Sequence, residues 1–114
     1  MPELKKYQMF IDGQWVDSDT KKTFETLNPE NNKPWAVVPE ASANDVDKAV
    51  KAAQKAFEGE WPKMLARDRA KYLRAIGNKL RENSELLGKI ETIDTGKLYR
   101  ETYQQAKYLS LIHI

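Results

Sequence analysis

Two short runs gather the residue types able to do chemistry: Thr26-Leu27-Asn28-Pro29 and Glu91-Thr92-Ile93-Asp94-Thr95-Gly96-Lys97. Gly96-Lys97 has the ending of a phosphate loop. That pattern needs Gly where Glu91 stands and Ser or Thr where Leu98 stands, so the loop is absent. No G-x-G-x-x-G run occurs, and with it goes the dinucleotide fingerprint. The chain has no Cys and one His, His113, which leaves no thiolate nucleophile, no disulfide and no Cys-based or paired-His zinc site. Glu58 and Glu60 flank a helix break, where solvated carboxylates without a neighbour to raise their pKa make poor general acids.

The elements that must position these runs fall into two periods. Residues 7 to 16 read as a hairpin. Tyr7, Met9 and Ile11 alternate, Asp12-Gly13 is a turn signal, and Trp15-Val16 begins the return strand. Thr23 to Leu27 alternates again until Asn28-Pro29, and Trp35 to Val38 is a third short strand closed by Pro39. The first forty residues are expected to form an antiparallel ribbon. Ser42 with Asp45 then resembles a capping box. Val46, Ala49, Val50, Ala53, Ala56 and Phe57 follow at helical spacing. Gly59 and Pro62 bracket a break. A second helix from about Leu65 carries Ala66, Ala70, Leu73, Ile76, Gly77 and Leu80 on one face, with Ala70 and Gly77 small enough for close approach of another element. Asn83 or Ser84 is expected to cap a third helix, with Leu86, Leu87, Ile90 and Ile93 facing inward and Gly96 ending it. Tyr99 to Tyr108 starts a fourth. Trp61, Tyr103 and Tyr108 read as packing residues rather than ligand-stacking or catalytic ones.

Composition narrows the function classes. Of 114 residues, 32% are charged, with 19 Lys and Arg interspersed among 17 Asp and Glu, so no face reads as a phosphate track and no nucleic-acid partner is expected. No apolar run approaches the roughly 20 residues that cross a bilayer, and Met1 to Tyr7 lacks the apolar stretch of a signal peptide. The expectation is a cytoplasmic protein without a membrane partner. The last six residues, Leu109 to Ile114, break the polar register of the fourth helix and match one reading frame of a transposase-end adapter used to prepare DNA for sequencing. Residues 109–114 are therefore expected to be non-native, the alternative being a genuine buried helix turn, and His113 carries no mechanistic weight.

Five pieces in register resemble the aldehyde dehydrogenase superfamily. They are Phe10 to Val16, Thr23 to Pro29, Asp45 to Val50 with Ala53 and Ala56-Phe57, then Trp61, Arg69 and Leu73, and finally Glu91 to Lys97. The run Asp94 to Thr102 is similar to that of betaine aldehyde dehydrogenases and neighbouring broad-specificity members. The resemblance covers residues 7 to 108. It implies an α/β parent of which this chain is an N-terminal β ribbon followed by three to four α-helices. Residues 1–40 would be the ribbon near oligomerisation contacts, and residues 41–108 the helical part of an incomplete NAD(P)-binding domain.

The same resemblance implies that the parent oxidises an aldehyde to a carboxylic acid with NAD or NADP, as a homodimer or homotetramer. Its nucleophilic Cys, oxyanion donors, hydrolytic Glu and cofactor loop would all lie beyond residue 108, so the chain itself carries no catalytic and no cofactor-binding residue. One site carries over. Several family members hold a structural monovalent cation, K+ or Na+, on oxygens that correspond to Thr26, the Leu27 carbonyl and Asp94. A hard cation suits such donors. The plain alternative is that Asp94 bonds nearby backbone and Thr26 is strand surface. The competing reading of the whole chain is a stand-alone α+β module that binds a partner through its helix faces.

Overall fold

In a computed structural model of the chain, residues 4–112 are described, with side chains as far as Leu109. Two compact units divide it, one formed by residues 1–27 and 33–63, the other by residues 28–32 and 64–114.

The first unit begins with β1 (Lys5–Lys6), β2 (Met9–Ile11) and β3 (Gln14–Val16), followed by β4 (Thr23–Asn28) and β5 (Lys33–Pro39). β2 and β3 form the expected hairpin, with Phe10 opposite Trp15 and their rings 5.0 Å apart. Asp12 and Gly13 both take positive φ, the two-residue turn whose twist matches that of the strands it joins. The remaining strands form a second sheet in the order β1-β5-β4. β1 pairs with β5 in parallel, Lys5 opposite Ala36 and Lys6 opposite Val37, so the expected all-antiparallel ribbon is two small sheets, one of them mixed. A two-residue strand carries no periodicity to read. Tyr7 extends that pairing through its N–H to the Val37 carbonyl and sets its ring edge-on to Trp35.

α1 (Ala43–Glu58) starts at the predicted capping box: the Ser42 hydroxyl accepts from the Asp45 N–H, and the Asp45 carboxylate accepts from the Ser42 N–H. Its apolar stripe divides. Ala49 and Ala52 are half-buried, while Val46, Val50 and Phe57 stand exposed, Phe57 at 71%. A 3-10 turn (Trp61–Lys63) closes the unit, with Trp61 itself exposed rather than filling an apolar gap.

The second unit contains α2 (Ala66–Glu82), α3 (Ser84–Thr95) and α4 (Tyr99–Ile112). Gly77 is buried on α2, whereas Ala70 is exposed. Asn83 and Ser84 do not cap α3 with their side chains. The Asn83 amide donates to the Lys79 carbonyl and the Ser84 hydroxyl to that of Arg81, so both side chains bond to carbonyls of the last turn of α2 rather than to the start of α3. The inward face of α3 is also not the predicted one. Ser84 and Gly88 are buried, Ile90 is half-buried, and Leu86, Leu87 and Ile93 are exposed. Tyr108 is 65% exposed and does not pack, whereas Tyr103 is half-buried against Tyr99. Among the described residues the only buried apolar side chains are Ala36 in the first unit and Ala106 in the second. No helix among those residues is long and apolar enough to cross a membrane. His113 and Ile114 lie outside the described residues, so of the six residues 109–114 only the first four are seen, and their backbone continues α4.

Candidate functional site

The Asp94 to Lys97 turn is placed by the packing of α3 on α4. Thr102 is fully buried, and its hydroxyl bonds at 2.9 Å to the Gly88 carbonyl, at 3.0 Å to that of Tyr99 and at 2.9 Å to the Thr92 hydroxyl. Gly88 makes this possible: a Cβ there would stand 2.9 Å from the Cα and N of Tyr103. Backbone thus touches backbone, and Ser84, Gly88 and Thr92 line up at i, i+4, i+8 as the contact face. Neither Gly88 nor Thr102 stood out in the sequence. The available signal was a glycine in mid-helix, which costs roughly 1 kcal/mol against alanine unless packing returns it.

After α3 the chain reverses at Gly96, in the left-handed conformation at φ 73°, with its N–H on the Thr92 carbonyl. A Cβ at Gly96 would come 3.0 Å from Cγ of Pro29. Around it the Thr95 hydroxyl donates to the Glu91 carbonyl and the Lys97 ammonium pairs with Glu91 at 2.8 Å. Gly96 therefore has the role read for it, ending the helix.

Of the predicted cation ligands, Thr26 and Leu27 lie on β4 in the first unit and Asp94 lies in the last turn of α3 in the second. Thr26 is half-buried and Leu27 exposed, and neither Thr26 nor Asp94 is without a partner. Their donor types, a hydroxyl, a carbonyl and a carboxylate, suit a hard monovalent ion. Among the described residues no group of three or more His, Cys, Asp or Glu side chains could hold a metal, so multivalent transition-metal chemistry has no ligand set there.

The most constrained carboxylate is Asp45. Besides the capping box it accepts from the Ser18 hydroxyl at 3.1 Å and from the Asp19 N–H at 3.2 Å, while the Ser18 hydroxyl also reaches the Glu40 carbonyl. Ser18 and Asp45 are both buried. The Ser42 N–H leads the donors that hold the Asp45 carboxyl down to about 2, against the opposing effect of burial. Bonds from the Ser42 and Asn44 side chains lower Asp19 as well. The result is a pin that fixes the 17–22 loop to the start of α1. The Asp45 carboxylate is taken up by bonds to Ser18, Asp19 and Ser42, which makes its work positional.

Comparison with known proteins matches this architecture. The sequence pattern of the aldehyde dehydrogenase family covers residues 15–112, and the chain belongs to that family. It is 42% identical over 101 residues to aldehyde dehydrogenase family 2 member C4 of Arabidopsis thaliana, covering 88% of this chain and 20% of that protein. Among solved structures it resembles the NAD-dependent aldehyde dehydrogenase of Sinorhizobium meliloti, with a TM-score of 0.93, 31% identity, and coverage of 97% of this chain and 22% of the other. It also resembles betaine aldehyde dehydrogenase of Staphylococcus aureus solved with NAD+, with a TM-score of 0.89, 38% identity, and coverage of 93% and 21%. The chain thus spans about a fifth of the length of these relatives.

Proposed function

We propose that the chain is the N-terminal part of an NAD(P)-dependent aldehyde dehydrogenase, whose whole polypeptide oxidises an aldehyde to its carboxylic acid. The observation that carries this is a family match over residues 15–112 inside relatives about five times longer. The nicotinamide, when bound, takes the hydride. None of this chain's residues is assigned to hold it, and none to attack the aldehyde. What residues 1–40 contribute is a ribbon close to subunit contacts. Residues 41–108 contribute helices to the cofactor-binding domain, and residues 109–114 are non-native. The parent is a cytoplasmic homodimer or homotetramer in this reading. The stand-alone partner-binding module is not favoured, because the family pattern takes in nearly all of the chain and leaves no separate module to explain.

The test is to sequence the source DNA beyond the Tyr108 codon and assay the full open frame with NAD+ or NADP+ and a panel of small aldehydes including betaine aldehyde. Aldehyde-dependent reduction of either dinucleotide is expected. A stop codon directly after Ile114, or a full-length product inert with every aldehyde, refutes the reading.

Within it, Thr26, the Leu27 carbonyl and Asp94 hold a K+ or Na+ that ties strand to helix end. Asp94→Ala in the full-length enzyme should remove any difference between melting curves in the two ions. A K+/Na+ difference that survives the substitution assigns the ion elsewhere.

A further inference from the structure

The turn of the β2–β3 hairpin carries the only Asp-Gly pair of the chain, Asp12-Gly13. Of the seven aspartates in the sequence, the other six are engaged. Asp17 accepts from the Gln8 amide and Asp19 from that of Asn44, while Asp45 is held by Ser18 and Ser42. Asp47 pairs with Lys51, Asp68 with Lys71, and Asp94 has a partner as well. Among the described residues nothing bonds to the Asp12 carboxylate. Asp12 and Gly13 are both exposed, and a Cβ built on Gly13 would meet nothing within 4 Å, so the peptide between them stands open to water.

The backbone is also set for ring closure. φ is 49° at Asp12 and 78° at Gly13, the two positive values of a type I′ turn. A type II′ turn keeps positive φ at its first central residue and differs by a flip of the peptide between the two. That flip takes ψ of Asp12 to about −120°, where the Gly13 nitrogen eclipses Cβ and comes within reach of Cγ. Gly13 accepts either sign of φ, so no side chain of its own resists the movement. The strands need not shift, because Ile11 still faces Gln14. In the helices the nitrogen after an aspartate is instead tied one turn back, the Val46 N–H to the Ser42 carbonyl and the Arg69 N–H to that of Leu65.

We propose that Asp12-Gly13 is a site of spontaneous isoaspartate formation in the folded protein. The Gly13 nitrogen bonds to Cγ of the Asp12 carboxyl in its acid form. The Cγ–OH bond breaks, and the hydroxyl leaves as water with the proton of that nitrogen, closing a succinimide ring. Water then adds back. Opening at Cγ restores aspartate, whereas opening at the α-carbonyl runs the chain through Cβ and Cγ and puts one more carbon into the backbone of the turn. The chemistry is independent of aldehyde oxidation, and so is its readout. The full-length parent is aged in water enriched in 18O, folded or in urea, then digested in ordinary water and read by mass spectrometry. Uptake of 18O counts passages through the ring, and electron-transfer dissociation locates the extra backbone carbon. In the folded parent the Asp12 peptide should convert about tenfold faster than any of the other six aspartates, each of which first gives up a hydrogen bond or ion pair. Asp12→Glu keeps the charge but needs a larger ring, and should abolish the conversion in that peptide. Conversion no faster at Asp12 than at the other six overturns the proposal. So does isoaspartate that forms in urea and not in the folded protein, or 18O uptake that survives Asp12→Glu.

Discussion

Gly88→Ala tests whether the α3–α4 contact is as close as its backbone geometry requires. The new Cβ would lie 2.9 Å from both Cα and N of Tyr103 and 3.3 Å from its Cβ. Carbon atoms rest at about 3.5–4.0 Å, so α4 must retreat by roughly 0.6 Å or more. Two of the three opposing atoms are backbone and cannot rotate away. The same movement pulls the Thr102 hydroxyl from the Gly88 carbonyl, now 2.9 Å away. Overpacking costs about 1–3 kcal/mol, and rigid backbone puts this case near the top of that range. Alanine's better helix propensity returns about 1 kcal/mol. The net is about 2 kcal/mol of local stability, or roughly thirtyfold faster amide exchange through opening of the pair. Hydrogen exchange read by mass spectrometry on α3 and α4 peptides of the full-length parent measures it. Unchanged or slower exchange in those peptides would refute the close contact.

Three further outcomes follow from the geometry. Asp45 titrates in the folded chain at about 2, below its ordinary 3.8, so the stability it contributes is present above pH about 4 and is lost as pH falls from there towards 2. Urea midpoints followed by circular dichroism should show that loss, and Asp45→Asn should lower stability at neutral pH and flatten the acid dependence. Gly96→Ala forces a non-glycine residue into the left-handed region, at roughly 1–2 kcal/mol, and presses a Cβ towards Pro29. Exchange at Thr92 to Lys97 should rise about tenfold, and no change there would count against the left-handed turn.

Legibility in the sequence varied with the kind of contact that fixes each element. The 9–16 hairpin and the Ser42 box were readable because both depend on neighbours within a few residues: a turn with two positive φ values, and a hydroxyl three places before its carboxylate. β1 was not, since its two residues owe their strand character to β5, some thirty positions on. The inner face of α3 was misread for a physical reason. Apolar periodicity selects Leu86, Leu87, Ile90 and Ile93, but the helix packs through Ser84 and Gly88, where small size matters and hydrophobicity does not. Of the predicted cation ligands, the sequence showed donor chemistry only, because no local pattern sets the spacing between residues 27 and 94.

The division into two units also sorts the chromophores. Trp15, Trp35 and Trp61, the only tryptophans of the chain, all lie in the first unit, whereas four of the five tyrosines, Tyr72, Tyr99, Tyr103 and Tyr108, lie in the second. Fluorescence excited at the red edge, where tyrosine does not absorb, therefore reports on the first unit alone. Tyrosine emission reports mainly on the second. Trp15, at 67% exposure, should emit at long wavelength in the isolated chain and shift to the blue wherever a longer polypeptide covers it. The two units can then be followed separately in one cuvette, with no label attached.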